Sequence, residues 1–186
     1  MNKALAVALI AAAAAASGCA TRESRLAREA NPAPCPNVVV LQDAARAIVF
    51  DGEETLENVA YTAEIVDVEI ACRYYGDKPI DASVKVDLAF GRGPKGAETR
   101  SDFTYFVAVT RTNLEVIEKA EFIVPAQFSG GRTIVEERQS IDEIIIPRAG
   151  EKTSGTNFEI VVGLALTPQQ AIYNRSGKSL KFPTAQ

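Results

Sequence analysis

Apolar and polar residues alternate along most of the chain after residue 36, which is typical of β-strands with one buried and one solvated face. The longest alternation covers residues 66–74 and resumes over residues 80–90, beyond a turn sequence at residues 76–79. These two runs predict an antiparallel hairpin, with Val66 on its buried face. Upstream of Val66 the apolar positions take the opposite parity, so we predict a β-bulge near Ile65 and Val66.

Shorter patterns predict further strands on both sides of this hairpin. Pro125 is expected to end the strand that precedes it, because proline cannot donate a backbone hydrogen bond. Thr167 followed by Pro168 predicts the start of a helix with threonine as its N-cap. The additional strands are predicted at residues 38–41, 46–50, 103–109, 116–124, 133–141, 143–146 and 158–166, the charged segments at 133–141 and 143–146 being typical of edge strands.

This succession of short strands and turns predicts an all-β fold, an antiparallel β-sandwich followed by a short C-terminal helix. An immunoglobulin-like arrangement is the first choice, although the chain has no tryptophan for the core of that fold. An up-and-down β-barrel is the alternative. We expect residues 37–174 to form this domain and residues 175–186 to form a frayed tail.

The first 18 residues have a different character. Lys3 is followed by an unbroken apolar run over residues 4–16, and the small residues Ser17 and Gly18 precede Cys19. A positive start, an apolar stretch and a small-residue cleavage site predict a signal peptide over residues 1–18. The apolar run is shorter than the roughly 20 residues that a transmembrane helix needs.

Ala16-Ser17-Gly18-Cys19 resembles the lipobox of bacterial lipoproteins, with alanine where that family usually has leucine. The resemblance covers residues 1–19 only. It implies cleavage before Cys19, a diacylglycerol on the thiol and an acyl chain such as palmitate on the new amino terminus. Because Ala20 is not aspartate, the resemblance also implies the periplasmic face of the outer membrane. Residues 19–36, polar and then proline-rich, would be the tether; an ordinary secretory signal with an incidental cysteine is the alternative.

Composition narrows the possible functions. The net charge is −4, and removal of residues 1–18, whose one charged residue is Lys3, leaves 19 basic against 24 acidic residues and a charge of −5. This weakly acidic balance argues against nucleic acid as a partner. Histidine is absent, which removes the commonest general base and the commonest metal ligand. We therefore expect no enzyme activity, no catalytic residue, no cofactor and no metal.

The three cysteines are expected to have two roles. If Cys19 carries lipid, Cys35 and Cys72 remain, and outside the cytoplasm such a pair is expected to form a disulfide. Two thiols without histidine are poor zinc ligands. The alternative is a pair of buried free thiols.

Other candidate motifs have simpler interpretations. Residues 91–96 are glycine-rich but lack the spacing of a phosphate-binding loop, so we predict a flexible hairpin connection, with a mobile basic tip as the alternative. Residues 51–54 lack the spacing of a calcium loop. Ser154 and Thr156 have no base nearby in sequence. Tyrosines are more often packing residues than binding residues in strands; they are Tyr61, Tyr74, Tyr75 and Tyr105.

These features favour a non-catalytic lipoprotein that presents a β-sandwich to another protein of the cell envelope, with the membrane contacted through the lipid anchor. A small-molecule or glycan-binding module is the second hypothesis, and it would need a concave site with converging polar groups. A hydrolase that uses carboxylates is the third. An exposed strand edge or an exposed apolar patch would favour the first hypothesis.

Overall fold

The computed structural model describes residues 33–179, so the signal peptide, Cys19, most of the tether and the end of the tail lie outside the described residues. Within residues 33–179 no helix is long and apolar enough to span a bilayer. The described elements are β1 (Asn37–Val40), β2 (Arg46–Phe50), β3 (Val59–Arg73), β4 (Ile80–Arg92), β5 (Arg100–Arg111), β6 (Val116–Gln127), β7 (Ile134–Ile146), β8 (Phe158–Leu164) and helix α1 (Pro168–Arg175).

The strands form two four-stranded sheets. Sheet I has the order β1-β8-β5-β6 and sheet II the order β2-β3-β4-β7. All neighbouring strands are antiparallel except β1 and β8, which are parallel. The two sheets do not close into a barrel, and the predicted β-sandwich is confirmed.

The connections share part of the immunoglobulin arrangement. In that fold the second strand pairs with the fifth, and the third with the sixth, in opposite sheets. Here β4 pairs with β7 in sheet II, and β5 pairs with β8 in sheet I, so the chain crosses between sheets in the same interlocked way. The edge that the last immunoglobulin strand would occupy is taken by β1, which runs parallel to β8.

The core lies between the sheets and is filled by the inward residues of the long strands. Phe90 of β4 and Phe103 of β5 stack with ring centroids 5.3 Å apart, which joins the two sheets directly. The largest fully buried side chains are Tyr105, Phe90, Phe128, Phe158, Ile80, Leu88, Ile146, Ile160 and Leu164.

The predicted hairpin is present as β3 and β4, and the predicted bulge is confirmed by a shift in their register between Ile65 and Asp67. The assignment of Val66 to the buried face is wrong, because its side chain is 60% exposed. The bulge leaves Val66 without a cross-strand partner and restores the inward parity only from Val68 onward.

Two other strand predictions need correction. Strand β6 continues through Pro125 to Gln127, because β6 is an edge strand and proline is tolerated there. The segments at 133–141 and 143–146 are one strand, β7, whose register with β4 shifts between the pairs Ala82–Ile144 and Val84–Ile141. The expected edge position of β7 is confirmed.

Helix α1 begins as predicted. The Thr167 hydroxyl accepts from the backbone N–H of Gln170, and the Gln170 side chain accepts from the backbone N–H of Thr167, which forms a capping box. Arg175, expected at the start of a frayed tail, is the last residue of the helix and pairs with Asp43 at 2.7 Å.

Candidate functional site

The outer face of sheet II is charged. Asp87 of β4 accepts two hydrogen bonds from the Arg138 guanidinium, at 2.6 and 2.5 Å, and these hydrogen bonds lower the pKa of the Asp87 carboxyl. Two residues further along β4 on the same face, the Lys85 ammonium lies 3.9 Å from the carboxylate of its cross-strand partner Glu69. Such exposed pairs add little stability, but they keep this face solvated.

The outer face of sheet I is largely uncharged at its centre. The cross-strand register places Val39 beside Val161, and Val161 beside Ala108, in one apolar row. The next row places Gly163 beside Phe106. In the row after that, Ile123 lies on the edge strand β6, opposite Thr104. We call this surface the apolar face; it consists of Val39, Leu41, Phe106, Ala108, Ile123, Val161 and Gly163.

Exposure differs across the apolar face. Ile123 is 71% exposed and Leu41 is 48% exposed, Val39, Phe106 and Val161 are half-buried, and Ala108 and Gly163 at the centre are buried. Contiguous exposed apolar surface is uncommon on monomeric proteins and marks interaction sites. Sheet II also exposes single apolar side chains, such as Val66 and Ile145, but these lie among charged residues, whereas the apolar residues of sheet I adjoin one another across three strands. This contiguity makes the apolar face the candidate functional site.

Phe106 has a defined position on this face. A Cβ atom at residue 163 would lie 2.7 Å from the Phe106 ring and 3.0 Å from the Cβ of Ala44, so the glycine lets the ring lie against sheet I. The Lys119 ammonium lies 4.7 Å from the Phe106 ring centroid and 2.7 Å from Glu121. Lys119 and Glu121 therefore form a charged rim along β6 beside the apolar centre.

The turn between β5 and β6 carries a second exposed apolar group. Leu114 is 76% exposed, and Val116, the first residue of β6, is 60% exposed. Leu114 has a φ of 69°, the only positive φ of a non-glycine residue in residues 33–179. The backbone N–H of Arg111 donates to the carbonyl of Glu115 at 2.9 Å and so closes a loop of three residues, 112–114, a type that usually has glycine at the last position. Leu114 is therefore unusual for this turn both in its left-handed backbone conformation and in its exposed apolar side chain.

Replacement of Leu114 by glycine is expected to raise the free energy of unfolding by about 0.5–1 kcal/mol. The left-handed conformation costs leucine about 1–2 kcal/mol, and the greater freedom of glycine in the unfolded chain offsets part of the gain. Urea unfolding of both proteins measures the difference. Thr112→Gly in the same turn is the matched control and should destabilise; destabilisation by Leu114→Gly would contradict the proposed strain.

The end of the sandwich where the described chain begins is held by a disulfide and a tyrosine. Cys35 and Cys72 are joined, with their Cα atoms 5.6 Å apart, which connects the start of the domain to the end of β3. The Tyr74 hydroxyl donates to the Pro34 carbonyl at 2.6 Å and accepts from the Gly155 N–H at 2.9 Å. We call this end the tether end.

Arg148 reinforces the tether end. Its guanidinium lies 5.0 Å from the Tyr74 ring centroid. It also donates to the carbonyls of Gly76, Thr153 and Glu151. The turn after β3 and the loop after β7 are therefore fixed to each other around Tyr74.

The prediction for residues 91–96 is wrong, because this segment is neither a hairpin connection nor a free tip. It connects β4 in sheet II to β5 in sheet I. The backbone N–H groups of Gly93 and Lys95 donate to the carbonyls of Ala60 and Val59, at 2.8 and 3.0 Å. A Cβ atom at residue 93 would lie 2.3 Å from the Val59 carbonyl oxygen, so glycine permits this close approach.

Gly52, Glu53 and Glu54, of the segment at residues 51–54, line a groove of about 420 Å³ beside helix α1. Phe50 and Tyr173 meet edge to face in this groove, with ring centroids 5.3 Å apart. Burial, together with the charge of Glu54, raises the pKa of the Tyr173 hydroxyl. Aromatic rings with nearby carboxylates and amides suit a small polar ligand, so a glycan or small-molecule site, the second hypothesis, would be placed here.

The remaining candidates act in packing. Tyr105 is buried, stacks on Phe122, and has a hydroxyl pKa raised by burial. The Tyr61 ring stacks on Phe128. Ser154 accepts from the N–H of Thr156 in a short turn. Across the described part of the chain no group of three or more His, Cys, Asp or Glu side chains is arranged to hold a metal ion.

The strand edges differ in how they are covered. Gln170 and Asn174 of α1 donate side-chain hydrogen bonds to the carbonyls of Ile48 and Arg46, at 3.0 and 2.7 Å, so the helix caps the edge of β2. Strands β6 and β7 are the edges on the other side of the sandwich, and both are more than ten residues long. Pro125 and the charged residues of both strands limit simple edge-to-edge pairing.

Comparison with known proteins identifies no family for this chain. No family model matches the chain, and no curated protein matches it. A β-glucuronidase from glycoside hydrolase family 2 is similar over 42% of this chain and 8% of its own, with 14% identity and a TM-score of 0.26. The variable domain of the Streptococcus agalactiae AgI/II polypeptide BspA is similar over 64% of this chain and 73% of its own, with 10% identity and a TM-score of 0.18. Scores this low support no argument about function.

Proposed function

We propose that this chain is a lipoprotein of the outer membrane, facing the periplasm, whose β-sandwich acts as a non-catalytic interaction module of the cell envelope. The observation that carries the proposal is the apolar face of sheet I. A face that only contacted water would be expected to intersperse its apolar residues with charged ones, as the outer face of sheet II does.

The lipobox-like sequence ending at Cys19 supports the anchor. The disulfide between Cys35 and Cys72 supports a location outside the cytoplasm, since disulfides persist in oxidising compartments. The proline-rich segment before β1 supports a tether between the lipid anchor and the domain.

The composition of the apolar face supports a protein partner. Protein interfaces combine an apolar, aromatic centre with a polar rim. Phe106 and Val161 supply such a centre, and Lys119, Glu121 and Glu159 supply such a rim. We therefore propose that another envelope protein covers Phe106 and Ile123.

A photoreactive amino acid placed at Ile123 is expected to crosslink one defined envelope protein in intact cells. The matched control is Val66, a similarly exposed β-branched residue on sheet II, where no such adduct is expected. A photoreactive residue on the identified partner should crosslink back to sheet I. An adduct from position 66 but none from position 123 would contradict the proposal.

A further inference from the structure

The tip of the β5–β6 hairpin lies at the tether end. Asn37, the first residue of β1, pairs with Glu159 of β8, and Glu159 pairs with Thr110 near the end of β5. The backbone N–H of Thr112 in the turn donates to the carbonyl of Asn157 at 3.3 Å. Leu114 is therefore presented on the same end of the sandwich as the segment that leads back to Cys19.

Several apolar side chains are exposed to solvent at the tether end. Leu114 and Val116 are exposed at the hairpin tip, and Tyr75, which is 53% exposed, lies in the β3–β4 turn at the same end. Arg111 and Glu115 flank Leu114 and pair with each other at 3.2 Å, so the tip has no net charge. Leucine and valine suit the boundary of the acyl chains, and tyrosine suits the headgroup region.

We infer that Leu114 and Val116 at the hairpin tip contact the lipid surface to which the chain is anchored, and thereby fix the orientation of the sandwich. The inference rests on the proposed lipid anchor at Cys19. It extends that proposal because it assigns a second membrane contact to the folded domain itself.

The length of the chain before the domain favours a lipid surface as the occupant. Residues 19–32 can span at most about 45–50 Å when fully extended, so the anchor confines the tether end to within that distance of the bilayer and leaves it free to touch the surface. Because the chain is anchored, the hairpin tip meets the bilayer at a high effective concentration. A small apolar tip is therefore sufficient to hold the contact. Because the tip is uncharged overall, the contact should depend little on salt or on anionic lipid.

The orientation follows from this contact. With the tip at the bilayer, the strands of sheet I point away from the membrane and the apolar face stands beside it, open to a partner in the periplasm. The groove beside α1 and the loop at residues 51–58 lie at the opposite end of β3, away from the membrane.

The absence of tryptophan from the chain permits a direct test. Leu114→Trp introduces a single indole at the tip, and Val116→Trp provides a second reporter if the first variant folds poorly. Leu56→Trp is the matched control, since Leu56 is 62% exposed in the loop at the opposite end. Each purified lipidated variant is reconstituted into phosphatidylethanolamine and phosphatidylglycerol vesicles that contain lipid with brominated acyl chains.

We expect bromine quenching at position 114 or 116 to be several-fold stronger than at position 56, and to be unchanged by salt. Equal or negligible quenching at both ends, in protein whose mass shows a lipidated Cys19, would overturn the inference and leave the anchor intact. A mass without lipid would overturn the anchor and the inference with it. If the indole at the tip is unquenched in these vesicles but shielded from solvent in native membranes, the tip lies in a protein interface. That result would also overturn the inference of a lipid contact.

Discussion

Replacement of Phe90 by alanine is expected to lower the free energy of unfolding by about 3–5 kcal/mol. Phe90 is 0% exposed and stacks on Phe103 across the space between the sheets, so its removal leaves a cavity where sheet I meets sheet II. Domains of this size are stable by only about 5–15 kcal/mol. The loss would therefore be a large part of the total, and urea unfolding followed by circular dichroism measures it.

Ile123→Ala is the control for this experiment. Ile123 is 71% exposed on the outer face of sheet I, so its truncation should change the free energy of unfolding by less than about 0.5 kcal/mol. Equal effects of the two substitutions would contradict the assignment of Phe90 to the core and Ile123 to the surface.

Loss of the disulfide is expected to have an effect of similar size. The double substitution of Cys35 and Cys72 by serine should lower the free energy of unfolding by about 3–4 kcal/mol on the chain-entropy model. The bond spans 37 residues, which include β1, β2 and most of β3, so its removal frees a large part of the unfolded chain.

A reductant offers an independent measurement of the same effect. Dithiothreitol should destabilise the natural sequence by a similar amount and should leave the double serine variant unchanged. If reduction does not alter the urea midpoint of the natural sequence, the cysteines do not constrain the unfolded chain as argued.

The parts of the fold that follow local rules were predictable from the sequence. The alternation of residues 66–74 and 80–90 predicted β3 and β4, and the reversed parity at Ile65 predicted the bulge. Thr167 followed by Pro168 predicted the start of α1, where the structure adds a capping box with Gln170. Each of these depends on residues that are near one another in sequence.

The parts that depend on pairing partners were not predictable in the same way. Pro125 was expected to end its strand, and only the position of β6 at the edge of sheet I explains why the strand continues. Residues 91–96 looked like a hairpin connection because nothing local shows that β4 and β5 belong to different sheets.

The candidate functional site also depends on strand pairing that the sequence does not show. Phe106 is visible in the sequence as an apolar residue on the polar parity of its strand, and Val161 is another. Their combination into one surface depends on the pairing of β5 with β8, which joins residues more than fifty positions apart. The left-handed conformation of Leu114 could not be inferred from a residue type that rarely adopts it.

Intact-mass and peptide analysis of the protein extracted from membranes tests the proposed lipid anchor, since the proposed location, tether and orientation all depend on Cys19. We predict a mature chain that begins at Cys19 and carries the added mass of a diacylglycerol and an acyl chain. Cys19→Ser should abolish that addition. A soluble chain with an unmodified Cys19, or one cleaved elsewhere, would contradict the lipid anchor.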